Sequence, residues 1–295
     1  MRHQPQFYQQ QRIPSIAQRR WKSFRKNKLA SAALLVFSLI VFAAIFAPFI
    51  APYDPTLQFN DLLLPPSWYD EGKTRFLLGT DEIGRDIFSR LIYGANLSLK
   101  LALIVVIIAG SIGMSLGFVA AFSNRVIDQL LQRLMDLILA LPSLLLAIVI
   151  VAIIGPGLPN AIYAVALVLI PHFVLVTRSA IINELNKEYV TAMILDGAGR
   201  FRLFAKCILP NILPPLIVQI TLGFSTAILE IAALGFLGLG AQAPNPEWGT
   251  ILSESHNNIV NAPWTVTLPG LAIFFTLLSI NLLGDGLRDA LDLDK

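Results

Sequence analysis

Charged residues in this chain are confined to the termini and to a few short islands, and long uncharged apolar runs separate them. A helix crosses the hydrocarbon core with about 20 mainly apolar residues, so each run of that length predicts a span. Leu29 to Ile50 is the first, without a charge. The second covers about Leu97 to Phe122, with Lys100 near its outer end. The run from Leu137 to Thr177 is too long for one helix. Gly155-Pro156-Gly157-Leu158-Pro159-Asn160 divides it, because turn residues at that density break a helix. That leaves a third span ending near Ile154 and a fourth from Ala161 to about Thr177. The fifth runs from Ile212 to about Leu239, with Pro214 and Pro215 in a first turn that tolerates proline. Thr265 to Leu283 is the sixth. The pattern predicts an all-α, polytopic membrane protein with six transmembrane helices.

Composition agrees. Of 295 residues, 55% are hydrophobic and 14% charged, against about 25% charged in average soluble domains. This excludes disorder and argues against a soluble enzyme. A single cysteine, Cys207, excludes a disulfide scaffold and a Cys-rich metal site. The net charge of +3 says nothing about nucleic acid, and no nucleic-acid partner is expected.

The positions of the cations say more. Arg2, Arg12, Arg19, Arg20, Lys22, Arg25, Lys26 and Lys28 precede the first span. A signal peptide would carry a shorter apolar region of roughly 7–15 residues and a small-residue cleavage site. Here Ala47-Pro48-Phe49-Ile50 closes the run, which reads as a retained anchor. With the N-terminus inside, Arg125, Arg133, Arg178, Lys187, Arg200, Arg202, Lys206, Arg288 and Lys295 also fall inside. Lys73, Arg75, Arg85 and Arg90 fall outside. Positive residues concentrate in cytoplasmic loops, so both termini are predicted to be cytoplasmic. The division is then a basic segment, 1–28, and a membrane domain, 29–295, with an external loop, 51–96, and an inner loop, 178–210. Seven acids make the external loop polar, and Thr80 or Asp81 is placed to cap a short helix running toward Tyr93.

Catalytic chemistry is hard to find. Gly72-Lys73-Thr74 resembles the end of a phosphate-binding loop, but the glycine that pattern requires five positions earlier is Ser67. The histidines are His3, His172 and His256, with no metal-binding spacing among them. His172 follows Pro171 in the fourth span, where packing or hydrogen bonding is the simpler role. The chain is not expected to be an enzyme.

Three other features stand out. Gly113 and Gly117 form a GxxxG spacing that lets helices approach closely, within the subunit or against a partner. Glu230 interrupts the fifth span, with Thr226 four residues before it on the same helical face. An ionisable group at that depth faces a cavity, a pore or a partner, unless it only snorkels to the interface. Finally, Glu184 to Leu195 has helix-forming composition with an apolar cluster at Tyr189, Val190, Met193 and Ile194. Gly197 and Gly199 end it, and a basic helix from Phe201 to Cys207 leads into Leu209-Pro210. Such a segment either docks to a protein partner or lies on the membrane surface.

This inner segment resembles the cytoplasmic signature of ABC-transporter permease subunits. That signature reads Glu-Ala-Ala, three residues, Gly, nine residues, Ile-x-Leu-Pro. Here Thr191-Ala192-Met193, Gly197 and Cys207-Ile208-Leu209-Pro210 keep the spacing, while Thr191, Met193 and Cys207 depart from the residue types. Gly79-Thr80-Asp81-Glu82-Ile83-Gly84-Arg85-Asp86, with Ser89-Arg90 and Tyr93-Gly94-Ala95, resembles the outer-loop signature of dipeptide and oligopeptide permeases of the C type. Leu234 to Gly240, Pro246 to Gly249 and Asn281 to Arg288 are similar to further family motifs.

The resemblance implies a type I ABC importer permease fold in the bacterial inner membrane, translocating dipeptides or short peptides. It implies a homologous second permease, two ATPase subunits and an extracytoplasmic peptide-binding protein. ATP and magnesium would be bound by the ATPase subunits, with no cofactor in this chain. The ATPase-coupling residues would be Glu188, Tyr189, Thr191, Ala192, Met193, Ile194, Gly197, Leu209 and Pro210, and the translocation path would pass Thr226 and Glu230. Relatives carrying nickel, haem or antimicrobial peptides are alternatives. An ion-coupled secondary transporter is a different class, disfavoured because the halves show no repeat.

Overall fold

The computed structural model describes residues 16–291. Arg2, Arg12 and Lys295, three of the cations in the orientation argument, lie outside the described residues. Helices α1 (Ile16–Lys26), α2 (Lys28–Ile45) and α3 (Ala47–Ile50) open the chain. The loop predicted to be external, here residues 51–86, leads to α4 (Ile87–Phe122), α5 (Arg125–Leu139), α6 (Ser143–Ile154) and α7 (Leu158–Leu185). The inner loop carries α8 (Glu188–Leu195) and α9 (Arg200–Leu203), and a π-helical turn, Phe204–Ile208, runs into α10 (Leu209–Phe236). Then come α11 (Trp248–Ser255) and α12 (Trp264–Leu291). Helices α4 and α7 pack along each other at the centre, α10 lies against both, and α12 joins α10 to α2.

Small residues set the central packing. A Cβ on Gly113 would stand 2.4 Å from Phe173 Cβ, and one on Gly117 would stand 2.7 Å from Thr177 Cβ. The GxxxG pair thus closes α4 onto α7 within this subunit, which resolves the choice between an internal and a partner contact. Gly284 meets Thr221 and Gly286 meets Ala30 in the same way, drawing α12 onto α10 and α2.

Among the described residues, five helices are long and apolar enough to cross a membrane: α2, α4, α7, α10 with its lead-in, and α12. The third predicted span departs from expectation. It is the pair α5 and α6, bent by 89° between them. With 12 residues, α6 is about 18 Å long, short of the roughly 30 Å hydrocarbon core. Pro142 makes the bend, since proline fixes its own φ and keeps the preceding residue out of the helical region. Helix α5 is amphipathic rather than apolar, with Arg125, Asp128, Arg133 and Asp136 spread along it.

Three smaller corrections follow the same physics. Helix α4 starts at Ile87, not near Leu97, and its 36 residues extend about 54 Å, well past the membrane core. Its cap is Asp86, whose carboxyl accepts from Ser89 N at 2.8 Å, and not Thr80 or Asp81. Pro214 and Pro215 lie inside α10, while Pro210 occupies the first turn. Within a membrane, neighbouring helices and polar side chains can satisfy the carbonyls that internal prolines leave free.

The external loop has a small core of its own. Tyr53, Phe59 and Phe76 pack together with ring centroids 5.0–5.8 Å apart, Phe59 standing edge to face with each of the other two, and the Arg75 guanidinium covers the Phe59 ring at 4.6 Å. Gly72 closes one turn through its N–H to Tyr69 O, Lys73 opens the next by accepting from Phe76 N, and the Lys73 ammonium pairs with Asp61. A strand and phosphate cradle are absent from this described segment.

Candidate functional site

The inner loop is built around one anchor. Val190 of α8 is fully buried against Ile181, Leu203, Ile208 and Ile212, which pins the short helix beneath α7 and α10. Tyr189 gives its hydroxyl hydrogen to Glu184 and accepts one from Asn211 Nδ2 at 2.9 Å. Lys187 Nζ pairs with the same carboxyl at 2.8 Å. Burial raises the Tyr189 hydroxyl pKa to about 12, and the hydrogen bond to Glu184 adds to the shift. Tyr189 therefore stays neutral and holds α8 to α7 and α10.

Helix α8 ends where the glycine spacing predicts. Gly197 has φ +82°. Its N–H donates to Ile194 O at 3.0 Å, and Ala198 N–H donates to Met193 O at 3.1 Å. This pair of bonds is the Schellman stop, which needs a residue in the left-handed region. Met193, by contrast, turns inward and meets Cys207. Both residues depart from the family residue types, and the contact shows the two departures facing each other.

The surface left over is apolar. Thr191, Ala192 and Ile194 are exposed, and Glu188 lies exposed in the first turn. Leu209 is half-buried and Pro210 exposed at the start of α10. Leu195 is 82% and Phe201 78% exposed, extending the same patch, and sequence reasoning had missed both. Their apolar character in a basic loop was the available signal.

The second site lies at membrane depth. Glu230 is 4% exposed, and neither carboxyl oxygen completes a hydrogen bond. With Thr226, His172 and Ser143 it lines a cavity of about 250 Å³ roofed by Leu141, Val168 and Leu169. The cavity sits at the bend between α5 and α6, where Ile138, Leu139 and Leu141 border it beside Ser143. Thr226 and Glu230 do share a face, as their spacing requires; His172 and Ser143 are additions from other helices.

A third constellation joins loop 51–86 and the start of α4 to α11. Asp81 Oδ2 binds Arg85 Nε and Arg90 Nη1, each at 2.6 Å. Glu254 Oε2 of α11 binds the same two guanidiniums at 2.7 and 2.6 Å. Two buried cations are thus balanced by two acids, clamping the external loop to α11. Glu247 caps α11, accepting from Thr250 N at 3.0 Å and from Ser98 Oγ at 3.1 Å, and its complete burial raises the carboxyl pKa.

These features define a helical membrane permease, and its fold is that of a type I ABC importer permease. A chain of the inward-facing MetNI methionine ABC transporter superposes with a TM-score of 0.56 at 20% identity, covering 70% of this chain and 97% of that one. The model of the family "binding-protein-dependent transport system inner membrane component" matches residues 113–294. The N-terminal TM domain of oligopeptide transport permease C matches residues 15–66. The di/tripeptide transport system permease protein DppC of Pseudomonas aeruginosa is 58% identical over 280 residues, 95% of this chain and 92% of that one. The dipeptide permease DppC of Escherichia coli K12 is 52% identical over 273 residues, 92% of this chain and 91% of that one. The peptide permease SapC of Escherichia coli O6:H1 is 43% identical over 285 residues, 96% of each chain. The chain belongs to the family of binding-protein-dependent transport system inner-membrane components.

Proposed function

We propose that this permease forms half of the membrane pathway of an ATP-driven importer for dipeptides or short peptides. The other half is a homologous permease, two ATPase subunits sit on the cytoplasmic side, and an extracytoplasmic binding protein delivers cargo. Both termini lie in the cytoplasm. Glu188, Tyr189, Thr191, Ala192, Met193, Ile194, Gly197, Leu209 and Pro210 form or support the coupling element, and Thr226 and Glu230 lie on the path. ATP and magnesium belong to the ATPase subunits. The names of the 58% and 52% identical relatives support the peptide cargo.

The observation that carries the coupling assignment is α8 itself: pinned by Val190, stopped by Gly197, and exposed along Ala192, Ile194 and Leu195. ATP binding closes the ATPase pair, α8 moves with it, and the bundle changes the side to which its cavity opens. A ligand biases such a switch only through its differential affinity for the two states.

Co-purification tests this reading. Tagged chain, gently solubilised from its native membrane, should bring down a second permease and proteins with a nucleotide-binding motif. Ala192 is exposed, so Ala192→Trp leaves this chain's own packing intact while overfilling a partner's groove. Overpacking costs about 1–3 kcal/mol, roughly five- to 150-fold in association. Equal ATPase recovery with wild type and Ala192→Trp would remove α8 from the interface.

A further inference from the structure

The Glu230 cavity has a chemical bias. A buried ionised carboxylate needs a counter-charge or a full set of donors. No Lys or Arg is among the residues lining this cavity. Ser143 places a hydroxyl beside the carboxyl, and among the described residues no other donor approaches either Glu230 oxygen. The remaining polar groups offer lone pairs. Thr226 directs its hydroxyl hydrogen to Leu222 O at 3.1 Å. The His172 ring bonds the Val168 carbonyl, which leaves the second nitrogen of a neutral imidazole as an acceptor.

Size and exposure add to this. At about 250 Å³ the cavity falls below the roughly 300–1,000 Å³ of pockets that enclose whole ligands, so it fits one end of a larger molecule. His172 is exposed at the rim, midway along a spanning helix. A polar side chain there faces the bundle interior or a cavity rather than lipid. Carboxylate, hydroxyl and imidazole acceptors around a small opening match a group with several N–H donors and a positive charge.

We propose that this cavity is an ammonium-binding subsite, in which Glu230, Thr226 and His172 receive the α-ammonium group of the cargo peptide. The inference rests on the reading of Glu230 as a path residue. Ser143, at the α5–α6 bend, closes the fourth side. Affinity here would be modest by design of the site, since transport requires binding that is favourable enough to enter and weak enough to leave.

The test uses the complete importer, purified in detergent without nucleotide. Dicyclohexylcarbodiimide modifies carboxyls in apolar surroundings, and mass spectrometry follows labelling at Glu230. Alanyl-alanine should slow that labelling severalfold, whereas N-acetyl-alanyl-alanine, which lacks the ammonium, should leave its rate unchanged. Uptake by Glu230→Gln in vesicles, with assembly checked by subunit recovery, is the second arm and should fall severalfold. Equal protection by both peptides with reduced Glu230→Gln uptake would keep Glu230 on the path and overturn ammonium recognition. No protection by either peptide, or no labelling at all, would overturn it as well. If Glu230→Gln uptake also matched wild type, the path reading would fall with it.

Discussion

Replacement of Gly197 separates backbone from contact at the inner loop. Its φ of +82° lies in the region that side-chain-bearing residues enter at about 1–2 kcal/mol. A Cβ built there meets nothing within 4 Å, so the chain itself adds no steric penalty. The cost falls on the Schellman stop, whose two bonds end α8 and turn the chain toward α9. Asn visits the left-handed region more readily than Ala, and β-branched Val least readily. Coupling should therefore decline in the order Gly, Asn, Ala, Val. The Ala step alone should amount to roughly five- to thirtyfold in the population of the ordered loop. ATPase recovery by pull-down and peptide-stimulated hydrolysis in vesicles would read the series. If Asn impaired coupling as much as Val, bulk at a partner contact would be the determinant. If all three variants behaved like the glycine form, the stop would have no role in coupling.

Three further expectations concern stability and topology. Arg90→Met leaves Asp81 and Glu254 sharing Arg85 alone, and breaking a buried ion pair costs about 3–5 kcal/mol, so the melting temperature in detergent should drop clearly; an unchanged value would contradict the clamp. Because burial raises the Glu247 carboxyl pKa, its contribution is full below the ordinary carboxylate range and is lost as pH rises through the raised value. Glu247→Gln should thus lose less stability than wild type between acidic and neutral pH, and parallel melting curves would refute this. Thr74→Cys, on an exposed stretch of the external loop, should react with an impermeant thiol reagent from outside; labelling only after lysis would reverse the topology.

Much of the architecture was legible because apolar length is a one-dimensional signal. Leu29–Ile50 and Thr265–Leu283 fall on α2 and α12 with modest shifts at the ends. The bent pair was not legible from run length, since an apolar stretch reads alike whether it crosses or turns back. Pro142 and the charges spaced along α5 were the available clues. The Gly197 turn was readable because one glycine carries it locally. The clamp was not: Arg90 and Glu254 stand 164 positions apart, and only folding brings them together. The Glu230 site was half legible. Thr226 shares its helix at a fixed spacing, whereas His172 and Ser143 arrive from α7 and α6.

The most direct test of the central claim is ATP-dependent uptake of labelled alanyl-alanine into vesicles carrying this permease, its partner subunits and the binding protein. The account predicts accumulation that requires ATP at the ATPase subunits and is lost in Ala192→Trp, although the variant chain inserts normally. Uptake that proceeded without ATP under an ion gradient, or that was undiminished by Ala192→Trp, would contradict it.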